Sequence, residues 1–148
     1  MSKRPLTVAL STLVSLILLC WGGLGCGPTV DQYEPNDGPE TATPLVLGTA
    51  LRSSIGSVGD WDVFKCDMSQ SAESAAFRVE VKSDHPEELE MEVGISLPGV
   101  WEGITWPGWN AKKEGDLISL QGEATRGTLL IFISGDQGVD YSVRVIRE

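Results

Sequence analysis

Residues 89–97 read Leu-Glu-Met-Glu-Val-Gly-Ile-Ser-Leu. Leu89, Met91, Val93, Ile95 and Leu97 recur at every second position, and Glu88, Glu90 and Glu92 fall between them. Side chains of a strand alternate between its two faces, so this pattern predicts a strand with one face in a core and the other in water. A helix would scatter the same five apolar residues around its axis.

The same period recurs on both sides of it. Phe77, Val79 and Val81 alternate with Arg78, Glu80 and Lys82, and Tyr141, Val143 and Val145 alternate with Ser142 and Arg144. Leu129 to Ile133 is apolar on both faces, as expected of a central strand. Leu117 to Leu120, Leu45 to Leu51 and Trp61 to Cys66 complete the set. Glycine-containing breaks at 56–59, 98–103, 107–108, 122–127 and 135–138 separate the runs, and no helical period is sustained over ten residues. Seven or eight short strands without an intervening helix predict an all-β, antiparallel β-sandwich or jelly-roll. A chain of 148 residues has room for one such domain.

The N-terminal 25 residues follow a different rule. Lys3 and Arg4 precede an uncharged apolar run from Leu6 to Trp21, the layout of a secretory signal. Spanning a bilayer takes about 20 apolar residues, a length reached here only by counting Gly22, Gly23 and Gly25, so cleavage is expected. Gly25-Cys26-Gly27 resembles the lipobox of bacterial lipoproteins, with Gly23 where that motif carries leucine. The resemblance implies lipidation of Cys26 as the mature N-terminus, and thus a membrane anchored through lipid, at the outer membrane or cell surface. The alternative is a secreted protein cut nearby, with Cys26 a spare thiol. Cys20 leaves with the signal and Cys66 remains alone, unless it bridges an unlipidated Cys26.

Residues 1–25 hold two of the 11 basic side chains and none of the 21 acidic ones, so the mature chain carries a net charge of −12. Such a surface repels nucleic acid and anionic lipid and suits cations or basic partners.

Tyr33-Glu34-Pro35-Asn36-Asp37, Ala42-Thr43-Pro44-Leu45, Gly56-Ser57 and Gly59-Asp60-Trp61-Asp62-Val63-Phe64 together resemble the opening of the bacterial pre-peptidase C-terminal domain. Gly138 to Val145 is similar to that family's closing strand. The family consists of small β-sandwich modules, usually appended to secreted proteases and collagenases. The organisation expected is a signal over 1–25, a tether with the EPND turn over 26–38, and the sandwich over 39–148.

Catalysis is not expected. His85 stands alone in a turn-forming Ser83-Asp84-His85-Pro86, without a second histidine or a placed nucleophile. Cys66 shares a strand face with Phe64, which makes it a buried small hydrophobe. Glu34, Asn36 and Asp37 offer three side-chain oxygen groups within four residues, and Asp60 and Asp62 add two if the tether folds back beside their strand. In collagen-binding members of the family the corresponding residues hold calcium, and the resemblance implies this role for Glu34, Asn36, Asp37, Asp60 and Asp62. The competing reading is a capping turn in which Asn and Asp bond their own backbone.

Trp101, Trp106 and Trp109 crowd nine Gly- and Pro-rich residues. Exposed, they form a stacking platform for sugars or a patch for another protein; buried, they cap one end of the sandwich. The expectation is therefore a non-catalytic cell-envelope module that binds an extracellular or periplasmic protein, peptide or polysaccharide. The alternative is a structural spacing domain with no specific ligand.

Overall fold

The computed structural model describes residues 31–68, 75–97, 104–105, 109–124 and 127–148. Among these lie ten strands: β1 (Thr43–Leu45), β2 (Leu51–Ser54), β3 (Trp61–Asp67), β4 (Ala75–Lys82), β5 (Leu89–Ser96), β6 (Ile104–Thr105), β7 (Lys112–Glu114), β8 (Leu117–Ala124), β9 (Thr128–Gly135) and β10 (Asp140–Arg147). One turn of 3₁₀-helix, Pro86–Glu88, precedes β5. The strands form two five-stranded sheets, in the orders β1-β3-β9-β5-β6 and β2-β10-β4-β8-β7. Every pairing is antiparallel except β1 with β3. The protein is an all-β sandwich, as the alternation predicts.

The core lies between the sheets and is built from the residues the period of two turns inward. Phe77, Val79 and Val81 of β4, Leu89, Met91 and Val93 of β5, and Val143 and Val145 of β10 are buried there. Glu90 and Glu92 stay in solvent. Leu129 and Ile131 face the same core, and Leu130 points the opposite way, where it meets Ala42, Val63 and Phe132 in a second small cluster. The two-sided apolarity of Leu129 to Ile133 is thus a strand paired on both edges and covered on both faces. Cys66 is 1% exposed beside Phe64, and burial, with Asp67 next in weight, pushes its thiol up to about 11.

Three expectations are corrected. Leu45 to Leu51 is not one strand: β1 and β2 belong to opposite sheets, and the chain turns between them, with Thr49 N–H donating to Val46 O at 3.0 Å and Gly48 at φ 80°. Pro44 has no N–H to offer a second neighbour, which suits β1 to its place at a sheet edge. β8 runs past Leu120 to Ala124, and β7 joins it as a hairpin through Gly115, at φ 61°, and Asp116. The strand at 89–97 ends at Ser96, leaving Leu97 partly exposed. The EPND turn lies against the sandwich: Asp31 and Asn36 are buried, and Asn36 O accepts the N–H of Val63 at 2.9 Å on the edge of β3 that β1 then takes up.

Candidate metal centre

Period-two geometry decides the chemistry at the start of β3. Asp62 is two residues before Phe64 and four before Cys66, so it points inward with them, and it is completely buried. Its position near the strand's end puts the carboxylate at one end of the sandwich, where Tyr141 of β10 arrives from the opposite sheet. Tyr141 packs edge-on against Phe64, with ring centroids 6.3 Å apart, and its O–H donates to Asp62 Oδ2. Ser53 lies opposite Tyr141 in the β2–β10 register, and its hydroxyl donates to Asp31 Oδ1 at 3.0 Å. The N–H of Tyr33 donates to the same oxygen at 2.9 Å.

Two trios of carboxylates result. Asp31, Glu34 and Asp62 each bring an oxygen within 4.8 Å of the others, and so do Glu34, Asp37 and Asp60. Glu34 belongs to both. The inner trio is buried apart from Glu34; the outer is open apart from Asp60, which is 8% exposed. Gly56 supports the outer trio: its N–H donates to Asp60 Oδ2 at 2.9 Å, and a Cβ there would stand 3.1 Å from that oxygen.

Within the inner trio, polar atoms are left over. Asp31 Oδ2, Asp62 Oδ1 and both polar atoms of the Asn36 amide are buried and make no hydrogen bond among the described residues. Each such atom costs about 1–3 kcal/mol of desolvation. Burial, with the Asp31 carboxyl next in weight, pushes Asp62 up to about 8, against the opposing pull of the Tyr141 hydroxyl and the nearby Asn36 amide. Tyr141 is held far above its ordinary value by burial and then by the Asp62 charge. Glu34 is also raised, first by lost hydration and then by Asp60, although its side chain reaches solvent.

The expected residues Glu34, Asn36, Asp37, Asp60 and Asp62 converge at one end of the sandwich, divided between two adjacent positions. The competing capping turn is present in part, since Asn36 N–H donates to Glu34 Oε2 at 3.3 Å, but the Asn36 side chain takes no share in it. Asp31 was missed by sequence reasoning. Its only signal is its place three residues before Glu34, and nothing local marks it as buried. The donors are carboxylate and amide oxygens without nitrogen or sulfur, a set that suits a hard cation such as calcium.

Elsewhere, Trp109 is half-buried and packs edge-on against Phe77 at 5.1 Å, so part of its surface belongs to the core. Trp101, Trp106 and Cys26 lie outside the described residues. His85 sits in an exposed turn, 3.7 Å from Glu87.

This fold is that of the pre-peptidase C-terminal domain. The chain is similar to the crystal structure of the pre-peptidase C-terminal domain of a collagenase from Bacillus anthracis, with a TM-score of 0.53 and 15% identity, over 74% of this chain and 99% of that one. No family model and no curated protein matches the sequence.

Proposed function

We propose that this chain is a non-catalytic cell-envelope module, anchored through lipid on Cys26, whose sandwich is clamped by calcium between residues 31–37 and β3. The observation that carries the metal reading is the set of buried, unpartnered oxygens on Asp31, Asn36 and Asp62. A fold that bears this desolvation cost gains it back when a divalent cation accepts those lone pairs. Asp31, Asn36 and Asp62 hold the ion from inside, Asp37 and Asp60 complete the outer position, and Glu34 joins the two. The ion supplies charge neutralisation and a rigid link between the N-terminal segment and β3.

The experiment is a thermal melt in millimolar calcium against excess chelator. A ligand that binds only the folded chain adds about 2.7 kcal/mol at a hundred times its dissociation constant, so the Tm should rise by several degrees. Asp31→Ala should remove the rise. Equal Tm values in calcium and chelator would leave residues 31–37 as a turn motif and defeat the metal reading.

A further inference from the structure

Asp37 is followed by Gly38, and no other aspartate or asparagine of the chain precedes a glycine. The pair lies on a bend between the buried Asn36 and β1, with the Asp37 side chain exposed. The neighbouring aspartates are held in place: Asp31 by Ser53 and the N–H of Tyr33, Asp60 by the N–H of Gly56, and Asp62 by Tyr141. The Asp37 carboxylate makes no hydrogen bond or ion pair among the described residues.

Gly38 is equally open, since a Cβ built on it would meet nothing within 4 Å. On either side the chain is fixed. Asn36 O accepts the N–H of Val63 at 2.9 Å, and Gly38 O accepts the N–H of Thr41 at 3.1 Å and its hydroxyl at 3.2 Å. In any aspartyl peptide the next nitrogen and the side-chain Cγ can close a five-membered ring, and such an intramolecular attack gains from having its partners always at hand. A side chain on the next residue crowds that nitrogen and restricts the backbone angles from which it can attack; glycine removes both obstacles.

We infer that Asp37 is a site of self-modification, converting to isoaspartate through a cyclic imide with Gly38. The Gly38 nitrogen attacks Cγ of the protonated Asp37 carboxyl. The N–Cγ bond forms, the Cγ–O bond breaks, and the hydroxyl leaves as water with the amide proton. Water then opens the ring. Addition at Cγ restores aspartate, whereas addition at the main-chain carbonyl breaks its bond to the Gly38 nitrogen and leaves the chain running through Cβ and Cγ, with a free α-carboxylate. One water is lost and one regained, so composition is unchanged and no other reactant is needed. The product has one more main-chain atom between Asn36 and Gly38, both of which are held, so its carboxylate cannot keep the place of Asp37 beside Glu34 and Asp60.

Neither step involves a metal, so the assay is run in chelator and stands apart from the calcium reading above. Full-length protein is kept for weeks at neutral pH and digested, and the peptide containing residues 36–38 is fragmented by electron transfer, which distinguishes β-linked from ordinary aspartate. A synthetic peptide of residues 33–41 is aged beside it. Isoaspartate should accumulate at residue 37 no more slowly in the folded protein than in the peptide, and ahead of every other aspartate of the sandwich. Gly38→Val should lose the product, with a thermal melt showing that the variant is folded. Conversion in the peptide but not in the folded protein would mean that the fold holds Asp37 away from the Gly38 nitrogen, and would overturn the inference. Equal conversion at aspartates that precede larger residues, or product that persists in Gly38→Val, would overturn it as well.

Discussion

The substitution Asp62→Asn separates the cost of the buried carboxylate from its use. In chelator, Asp62 is pushed from its ordinary 3.8 to about 8 in the folded chain, chiefly by burial. The folded state therefore holds this proton more tightly than the unfolded state does. Between those two values the unfolded chain releases the proton first, so the stability contributed by Asp62 is fully present below about pH 4 and is lost as pH rises toward 8. Each pH unit crossed costs about 1.4 kcal/mol, so on the order of 4 kcal/mol is lost between pH 4 and pH 7. At about 4 °C per kcal/mol for a domain of this size, the loss is on the order of 15 °C in Tm. The asparagine side chain has the shape of the protonated acid and can still accept the O–H of Tyr141, but it does not titrate. The assay is denaturant or thermal unfolding in chelator from pH 4 to pH 8 on both proteins. The difference between the two curves reports residue 62 together with its interactions with Asp31 and Tyr141. The variant should be the more stable at pH 7 in chelator and should lose most of the gain from calcium. Parallel pH profiles would refute the reasoning, because they would mean that Asp62 ionises as freely inside as outside.

Two further predictions concern packing and anchoring. Gly122→Ala places a methyl group 2.7 Å from Trp109 Cε2 and Cζ2 and 2.9 Å from Phe77 Cζ; overpacking should cost about 1–3 kcal/mol, and an unchanged Tm would show that the Trp109 indole moves aside freely. Cys26→Ser should move the protein from the membrane fraction to the soluble fraction when cells are fractionated, and membrane association equal to wild type would defeat the lipid anchor.

The sandwich was legible because its strands carry their own evidence. Leu89 to Ile95 has one apolar and one acidic face, and no tertiary information is needed to see which side is buried. The pairing of Phe64 with Cys66 on an inward face follows from the same spacing. It also places Asp62 inward, a consequence that treating Asp60 and Asp62 simply as a pair of donors passes over. The split of Leu45 to Leu51 between two sheets was not legible, since an apolar run does not record that its ends pair with different partners: β1 with β3, and β2 with β10.

The sequence by itself determined the all-β class, the inward face of the main strands, the acidic surface and the segment in which oxygen donors concentrate, because these depend on residue type and spacing within a few positions. Only the tertiary structure decided that Asp31 joins the site, that Asn36 keeps an unpartnered amide in a fully buried place, and that Glu34 bridges an inner and an outer trio. Residues 31–37, β2 and β3 are separate segments, and β10 begins more than 70 residues beyond β3. Desolvation and mutual repulsion of their side chains come into being only when the two sheets close over them.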